Sequence, residues 1–330
     1  MANLRAGLIG LGMMGRHHAR VLGSLPGVDL VAVADPGGDV HGVAGGRPVE
    51  ADIDALIGHG LDYCMVAVPT IYHEQIGLAL AEAGVHAMIE KPLAKDTPAS
   101  TAVAGAFAAR SLVGAVGHIE RYNPALQQAR ARIEAGELGE VYQVVTRRQG
   151  PFPARIADVG VVKDLGTHDI DLTSWVTQQE YTSVAAQTAH RSGREHEDMV
   201  AIVGQLANGT ITSHLVNWLS PFKERVTVIT GSKGSFVADT LSADLTFHAN
   251  GQIEQAWDAI SKFRGVSEGD VVRFAIAKPE PLRVEHEQFR DAVLGLDADI
   301  VTMEQGLRTV LVAEACLESA RTGSTIAIDA

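Results

Sequence analysis

The sequence lacks any apolar run close to the ~20 residues that a membrane span requires, so no transmembrane helix is expected. Its first residues, Met1-Ala2-Asn3-Leu4-Arg5, show no charged leader or cleavage site, and no secretory signal is expected. Cysteine is scarce: Cys64 and Cys316 are the only two, too few for a disulfide framework or a zinc site. Cys64 lies in an apolar run and reads as a small buried hydrophobe; the expected compartment is a reducing cytoplasm. Cations are also in deficit, 27 Lys and Arg against 40 Asp and Glu, for a net charge of −13. Proteins that coat nucleic acid need Lys and Arg to displace counterions from phosphates, so no nucleic-acid partner is expected. A phosphate-bearing small molecule remains possible if backbone N–H groups and a few local cations hold it. Internal repeats, charge blocks and low-complexity tails are missing too.

What is present reads as a globular protein. Of 330 residues, 46% are apolar and 20% charged, and at roughly 150 residues per domain two domains are expected. The 34 glycines imply many tight turns or close backbone approaches.

The first 120 residues alternate apolar runs with stretches of helical periodicity. Ala6 to Ile9, Leu30 to Ala34, Tyr63 to Val68, His86 to Ile89 and Leu112 to Val116 read as strands; Arg16 to Leu25, His73 to Ala83 and Pro98 to Ala109 read as helices. Continuous apolar strands are buried on both faces, which predicts a doubly wound parallel sheet covered by helices. Gly37 to Pro48 is too rich in glycine to place a third strand. Beyond residue 120 the texture changes to one helix (Pro124 to Glu134), a strand (Val141 to Arg147) and a helical segment near Val162 to Val176. Ser183 to Ala189, Met199 to Leu206, Ile211 to Trp218 and Arg225 to Thr230 then read as strands, with Asn208-Gly209 as a hairpin turn. A largely antiparallel sheet is expected, with Glu285 to Leu294 and Glu304 to Ala320 as closing helices. The expected domains are 1–120 and 121–330.

Gly10-Leu11-Gly12-Met13-Met14-Gly15 follows the first strand and opens a helix, and Asp35 ends the second strand 20 residues after Gly15. That setting turns a weak G-x-G-x-x-G pattern into a dinucleotide fingerprint, in which glycines admit a pyrophosphate to a helix N-terminus. Asp35 would accept hydrogen bonds from ribose hydroxyls and repel a 2′-phosphate. No Arg occurs among the next ten residues, so NAD is expected over NADP. Pro69, Thr70 and His73 follow the fourth strand on the edge where such sheets bind ligands, and are expected to line the cofactor; Thr70 also suits a helix N-cap.

The fifth strand runs into Glu90-Lys91-Pro92 on the same edge. A plain salt bridge would account for the pair, but an ammonium beside a substrate hydroxyl and a cationic ring could instead serve proton transfer. The second cluster is Asp164-Leu165-Gly166-Thr167-His168-Asp169-Ile170-Asp171. On a helix, Asp164, His168 and Asp171 share one face. Such a face suits a general acid–base histidine, a divalent metal or a merely structural polar surface, whereas Asp169 and Ile170 point elsewhere as scaffold.

These landmarks together resemble the Gfo/Idh/MocA family of oxidoreductases along nearly the whole chain. They are the glycine loop with His18 after it, Asp35, Pro69, Thr70, His73, Glu90-Lys91-Pro92, the Asp164-to-Asp171 segment and Glu280-Pro281-Leu282. The resemblance implies a Rossmann domain and then an open-faced mixed β-sheet domain that forms subunit interfaces, hence a homo-oligomer. It implies a nicotinamide cofactor, a sugar or cyclitol substrate and no metal. It carries Lys91 and His168 over as an acid–base pair and Asp164 as a substrate-contacting residue, with Glu90 beside the cofactor. Gly117 to Pro124 and Gly150 to Asp164 further resemble the branch acting on UDP-N-acetylglucosamine or related nucleotide sugars, with Arg121, Asn123 and Arg155 as substrate contacts. Val161-Val162-Lys163 stands where many members carry Gly-Gly, so the substrate side should differ from inositol dehydrogenases. An inositol or free-sugar dehydrogenase is the alternative enzyme; a dinucleotide-binding regulator without catalysis is the alternative of another class.

Overall fold

The computed structural model describes residues 2–152, 159–251 and 268–329. It divides into two compact units, Met1–Ile119 with Glu280–Glu314 and Glu120–Pro279 with Ala315–Ala330.

The first unit opens with β1 (Leu4–Ile9), α1 (Met13–Leu22), β2 (Val28–Ala34), β3 (Val49–Glu50), α2 (Ile53–Ile57) and β4 (Tyr63–Val66). It continues through α3 (His73–Glu82), β5 (His86–Glu90), α4 (Thr97–Ala108) and β6 (Gly114–Gly117). The sheet order is β3-β2-β1-β4-β5-β6, and every pairing is parallel. The order reverses between β1 and β4, the switch point where doubly wound sheets bind ligands. β4 shows why its sequence is apolar throughout: Tyr63 and Met65 enter one core and Cys64 and Val66 the opposite one. Asp52 and Asp96 cap α2 and α4, accepting from Ala55 N at 2.9 Å and Ala99 N at 2.8 Å. The third strand is two residues long and lies just beyond the glycine-rich stretch that obscured it.

The second unit contains α5 (Pro124–Glu134), β7 (Val141–Pro151), α6 (Thr167–Thr177), β8 (Tyr181–Ala189), β9 (Met199–Leu206) and β10 (Ile211–Asn217). β11 (Leu219–Gly231), β12 (Gly234–Asp239), β13 (Asp244–Asn250) and β14 (Glu268–Arg273) follow. Of the remaining elements, α7 (Pro281–Val293) belongs to the first unit, α8 (Met303–Thr322) spans the boundary after Glu314, and β15 (Ile326–Ala327) belongs to the second. The nine-stranded sheet has the order β14-β13-β12-β11-β7-β10-β9-β8-β15. It is mixed because β7 pairs parallel with β10, and all other pairings are antiparallel. Asn208-Gly209 makes the expected turn between β9 and β10, with Gly209 at φ +89°. β9 alternates exposed and buried residues along its whole length, so one face of the sheet is covered and the other open. Leu126, Trp175, Val176 and Phe236 build the covered side.

Two expectations need correction. The chain after residue 120 is not one continuous unit, because residues 280–314 group with the first. α7 shows the reason: its Phe289 meets Tyr63 of β4 edge to face, with ring centroids 5.4 Å apart. Strands β12 to β15 were not expected either: β12 and β13 bury only Gly234, Phe236, Ala238 and Leu245 between them, too few large apolar residues to mark them.

Both cysteines are buried, and burial pushes each thiol up to about 12. His214 of β10 lies on the covered face, its ring nitrogens 2.8 Å from Thr146 Oγ1 and 2.8 Å from Tyr181 OH. Burial, with a smaller push from the Arg148 charge, lowers it from 6.5 to about 3. The unfolded chain therefore binds a proton below pH 6.5 that the folded one refuses, and stability present above that pH is lost as the pH falls toward 3. His214→Gln should flatten the pH dependence of the unfolding free energy from urea titrations, by a slope that approaches about 1.4 kcal/mol per pH unit between pH 5.5 and 4. An unaltered slope would mean that His214 does not carry this linkage.

Candidate active site

The glycine loop leaves the C-terminal end of β1. Gly10 has φ +93°, and a Cβ there would come 2.4 Å from the Ala67 carbonyl oxygen; a Cβ on Gly15 would lie 1.9 Å from the Gly10 carbonyl oxygen. Both positions exclude a side chain because backbone meets backbone. Gly12 is different: a Cβ there meets nothing within 4 Å. Gly12 is also the N-cap of α1 and brings no side-chain acceptor, unlike the aspartates that cap α2 and α4. The first-turn N–H groups at Met13, Met14 and Gly15 therefore belong to a helix end with its positive dipole uncapped, facing space that a methyl would enter. That arrangement fits a dinucleotide pyrophosphate.

Asp35, at the end of β2, fixes this loop. Its Oδ2 accepts from Leu11 N at 2.9 Å and its Oδ1 from Gly37 N at 2.8 Å. Each carboxylate oxygen keeps one further lone pair for a ribose hydroxyl.

After β4, Pro69 leads into a short 3-10 turn, Thr70–Tyr72, closed by Tyr72 N donating to the Pro69 carbonyl at 3.0 Å. Thr70 is buried in that turn and does not cap α3, which starts at His73 without a side-chain cap. His73 is buried too, and its ring spans two backbone carbonyls, Nδ1 at 2.9 Å from Pro92 O and Nε2 at 3.0 Å from Val68 O. Burial holds His73 below its usual range, against the pull of those carbonyls. A singly protonated ring donates to one of them and leaves the other in contact without a hydrogen bond. The ring thus ties the end of β4 to the turn after β5 instead of reaching outward to a cofactor as expected.

Glu90 and Lys91 occupy the carboxyl end of β5. Glu90 Oε1 accepts from His18 Nε2 of α1 at 2.9 Å, and Oε2 accepts from the Lys91 backbone N–H at 3.1 Å. Burial pushes Glu90 upward, but the His18 hydrogen bond, with the Lys91 charge, outweighs it, so its carboxyl stays below the ordinary range. The Lys91–Pro92 bond is cis. The glycine loop, Glu90 and Lys91 thus share one edge of one parallel sheet.

In the second unit, the expected helix at Val162 to Val176 is interrupted. Val162–Gly166 forms a π-turn and the α-helix starts only at Thr167. Glu197 fixes the turn's start, its Oε1 accepting from Val162 N at 3.0 Å and its carbonyl from Val161 N at 2.9 Å. Asp164 therefore lies in the π-turn, while His168 and Asp171 lie on α6. Asp171 is drawn to Arg121: Nε donates to Oδ2 at 2.9 Å and Nη2 to Oδ1 at 2.7 Å. Asp164 is buried and His168 half-buried.

Asp169, expected as scaffold, pairs with Arg148 at 3.0 Å, and Arg148 also reaches Glu120 at 2.9 Å. Burial raises Asp169, against the pull of Arg148; it also pushes on Glu120, where Arg148 prevails and holds the carboxyl low. Breaking one partner of such a buried pair costs about 3–5 kcal/mol. Arg121 and Asn123, expected to meet substrate, are 5% and 6% exposed. Asn123 Oδ1 accepts from Ala125 N at 3.0 Å to cap α5, and Nδ2 donates to Thr240 O at 3.0 Å. Polar groups of both residues thus help to hold the unit together. Arg155 lies outside the described residues. Neither Glu197 nor Arg148 was expected here, since nothing local marks which group a distant residue will meet. Among the described residues no group of three or more His, Cys, Asp or Glu side chains is placed to hold a metal ion.

Comparison with known proteins followed the same division. Residues 4–118 match the family model described as "Oxidoreductase family, NAD-binding Rossmann fold", and residues 126–237 match the Gfo/Idh/MocA C-terminal domain. A UDP-N-acetylglucosamine 3-dehydrogenase of Acidithiobacillus ferrooxidans is 34% identical over 216 residues, covering 64% of this chain and 66% of that protein, just under two thirds of its length. An inositol 2-dehydrogenase of Saccharopolyspora erythraea is 27% identical over 99% of this chain and 96% of its own. A solved structure of the Acidithiobacillus enzyme superimposes with a TM-score of 0.85 at 27% identity, covering 98% of this chain and 99% of that one.

Gly12→Ala separates folding from binding at the glycine loop. Its methyl meets no protein atom, so the melting temperature should stay within about 2 °C of the parent. NADH affinity, followed by fluorescence titration, should fall tenfold or more, on the order of 1.4 kcal/mol. Unchanged affinity would remove Gly12 from the cofactor site.

Proposed function

The chain belongs to the Gfo/Idh/MocA family of NAD-binding oxidoreductases, and on that premise we propose that it oxidises a secondary alcohol of a nucleotide sugar. The observation that carries the reading is the shared sheet edge. Lys91 leaves the carboxyl end of β5, on the edge where β1 turns into an uncapped helix N-terminus.

The bound nicotinamide would supply the acceptor for the hydride. Gly12, Met13, Met14 and Gly15 bind the pyrophosphate through backbone N–H groups, Gly10, whose own N–H donates to Ala34 O at 2.8 Å, makes the turn that brings them there, and Asp35 takes the adenosine ribose. Its fixed negative charge, with no Arg among residues 36–45, selects NAD over NADP. Lys91 and His168 are the proton-handling pair: one receives the hydroxyl proton at its nitrogen, and the other orients the substrate oxygen. Asp164 binds a substrate hydroxyl. The Acidithiobacillus relative, with its named substrate and full-length structural likeness, supports a UDP-sugar. The second reading, an inositol, is favoured by the Saccharopolyspora relative, which matches over nearly the whole chain.

A second copy of the chain is the proposed partner of the open sheet face. Val203, Ile211 and Leu215 stand there 54%, 41% and 48% exposed, while their strand neighbours Ile202 and Val216 are buried. An apolar patch of this kind on a sheet is a common subunit interface. No helix among the described residues is long and apolar enough to cross a membrane.

The substrate test compares NAD reduction by UDP-N-acetylglucosamine and by myo-inositol, with and without UDP. A nucleotide-sugar enzyme should reduce NAD with the former and be inhibited competitively by UDP. Turnover of inositol untouched by UDP would establish the second reading instead. Lys91→Met should lower kcat by about 10²- to 10⁴-fold while NADH affinity stays within about threefold. Near-parent turnover in that variant would take Lys91 out of the chemistry.

A further inference from the structure

Glu90 is half of a longer chain. Beyond it, His18 Nδ1 lies 2.8 Å from Nε2 of His286, on the returning helix α7, 268 residues away in sequence. His18 is 0% and His286 1% exposed. We propose that His18 and His286 are positioning residues for Lys91. His286 holds the His18 ring in the orientation that keeps Glu90 divided between His18 and the Lys91 backbone N–H. The inference rests on the proton-transfer reading of Lys91 proposed above.

Donor and acceptor roles follow from the ends of the chain. Glu90, as a carboxylate, only accepts, so His18 carries a hydrogen on Nε2. In a singly protonated His18 ring, Nδ1 is then an acceptor, and the hydrogen between the two rings comes from His286 Nε2. Burial keeps His286 far below its ordinary range, so its ring carries a single hydrogen. Placing it on Nε2 leaves Nδ1, which is buried and has no hydrogen-bond partner among the described residues, as a bare nitrogen. The opposite tautomer would bury an orphaned N–H, which folded proteins rarely tolerate. The chain therefore runs one way, from α7 through α1 to the end of β5.

Packing alone does not call for these groups. Three residues further along α7, Phe289 meets Tyr63 by apolar contact. A hydrophobic pair at 18 and 286 would join the helices without the desolvation cost of two imidazoles and a carboxylate. What an apolar pair would not do is fix Glu90. Without His18 its carboxylate could rotate toward solvent, releasing the N–H of Lys91 and with it the residue's backbone.

The test reads the Lys91 backbone without substrate, by amide hydrogen exchange resolved to single residues on the full chain. His286→Leu and His286→Asn both remove the donor. His286→Gln keeps an amide nitrogen close to where Nε2 stood. In the Leu and Asn variants the Lys91 amide should exchange about tenfold faster or more, while Met88 within β5 stays within about twofold. The Gln variant should restore Lys91 to within about threefold of the parent. In turnover, the Leu and Asn variants should lose kcat about tenfold with KM for NAD unchanged. Unchanged Lys91 exchange in both, or Lys91 and Met88 accelerating together, would overturn the proposal. If the exchange pattern holds but Lys91→Met still turns over, the proton-transfer reading fails while the positioning chain stands.

Discussion

A carboxylate held at the end of a buried strand is the constraint on which the first unit turns. Glu90 has two oxygens, one taken by His18 and the other by the backbone of Lys91. Removing a negative charge from water is costly unless hydrogen bonds replace its hydration. Here the replacement comes from α1, the same helix whose opposite end is left uncapped at Gly12. One short helix thus offers dipole and N–H groups at its start and an imidazole in its middle, both directed at one sheet edge. His73 secures that edge from the other side by spanning the carbonyls of Val68 and Pro92.

The second unit meets a similar constraint with ion pairs. Arg148 joins β7 to Asp169 of α6, and Arg121 joins Asp171 of the same helix to the segment before α5. Buried pairs add little net stability compared with apolar packing, but they are intolerant of displacement, because an unpaired charge is left behind if either partner moves. The outcome for α6 is a fixed register. His168 stands in the first turn of α6, next to the Asp169 that Arg148 holds. The π-turn ahead of it is pinned by Glu197. Arg121 and Asp169 therefore matter to the site through geometry, whether or not either touches a substrate.

Much of the fold was legible because its signals are local. The glycine loop followed by a helix, Asp35 at a strand end and the Asn208-Gly209 turn each occupy a few contiguous residues, and each reflects a backbone requirement few residue types meet. β4 could be read as doubly buried because every one of its residues is apolar. The same locality explains the errors. Val162 to Val176 has helical periodicity, but a π-turn differs from an α-turn by one hydrogen-bond step, and Glu197, which pins it, lies far along the chain. Nor does anything local announce that Arg121 and Asn123 bond to Asp171 and Thr240, 50 and 117 residues away.

The amino-acid order by itself settled the parallel sheet and the switch-point loop, since these follow from side-chain period and turn chemistry within single elements. Only the folded chain decided that residues 280–314 rejoin the first unit, that His286 meets His18, and that the charges at Arg121 and Arg148 are consumed internally. The reason is physical. Period and turn type are properties of neighbouring residues, whereas the partner of a buried charge is chosen by whichever opposite group the long-range packing brings within reach.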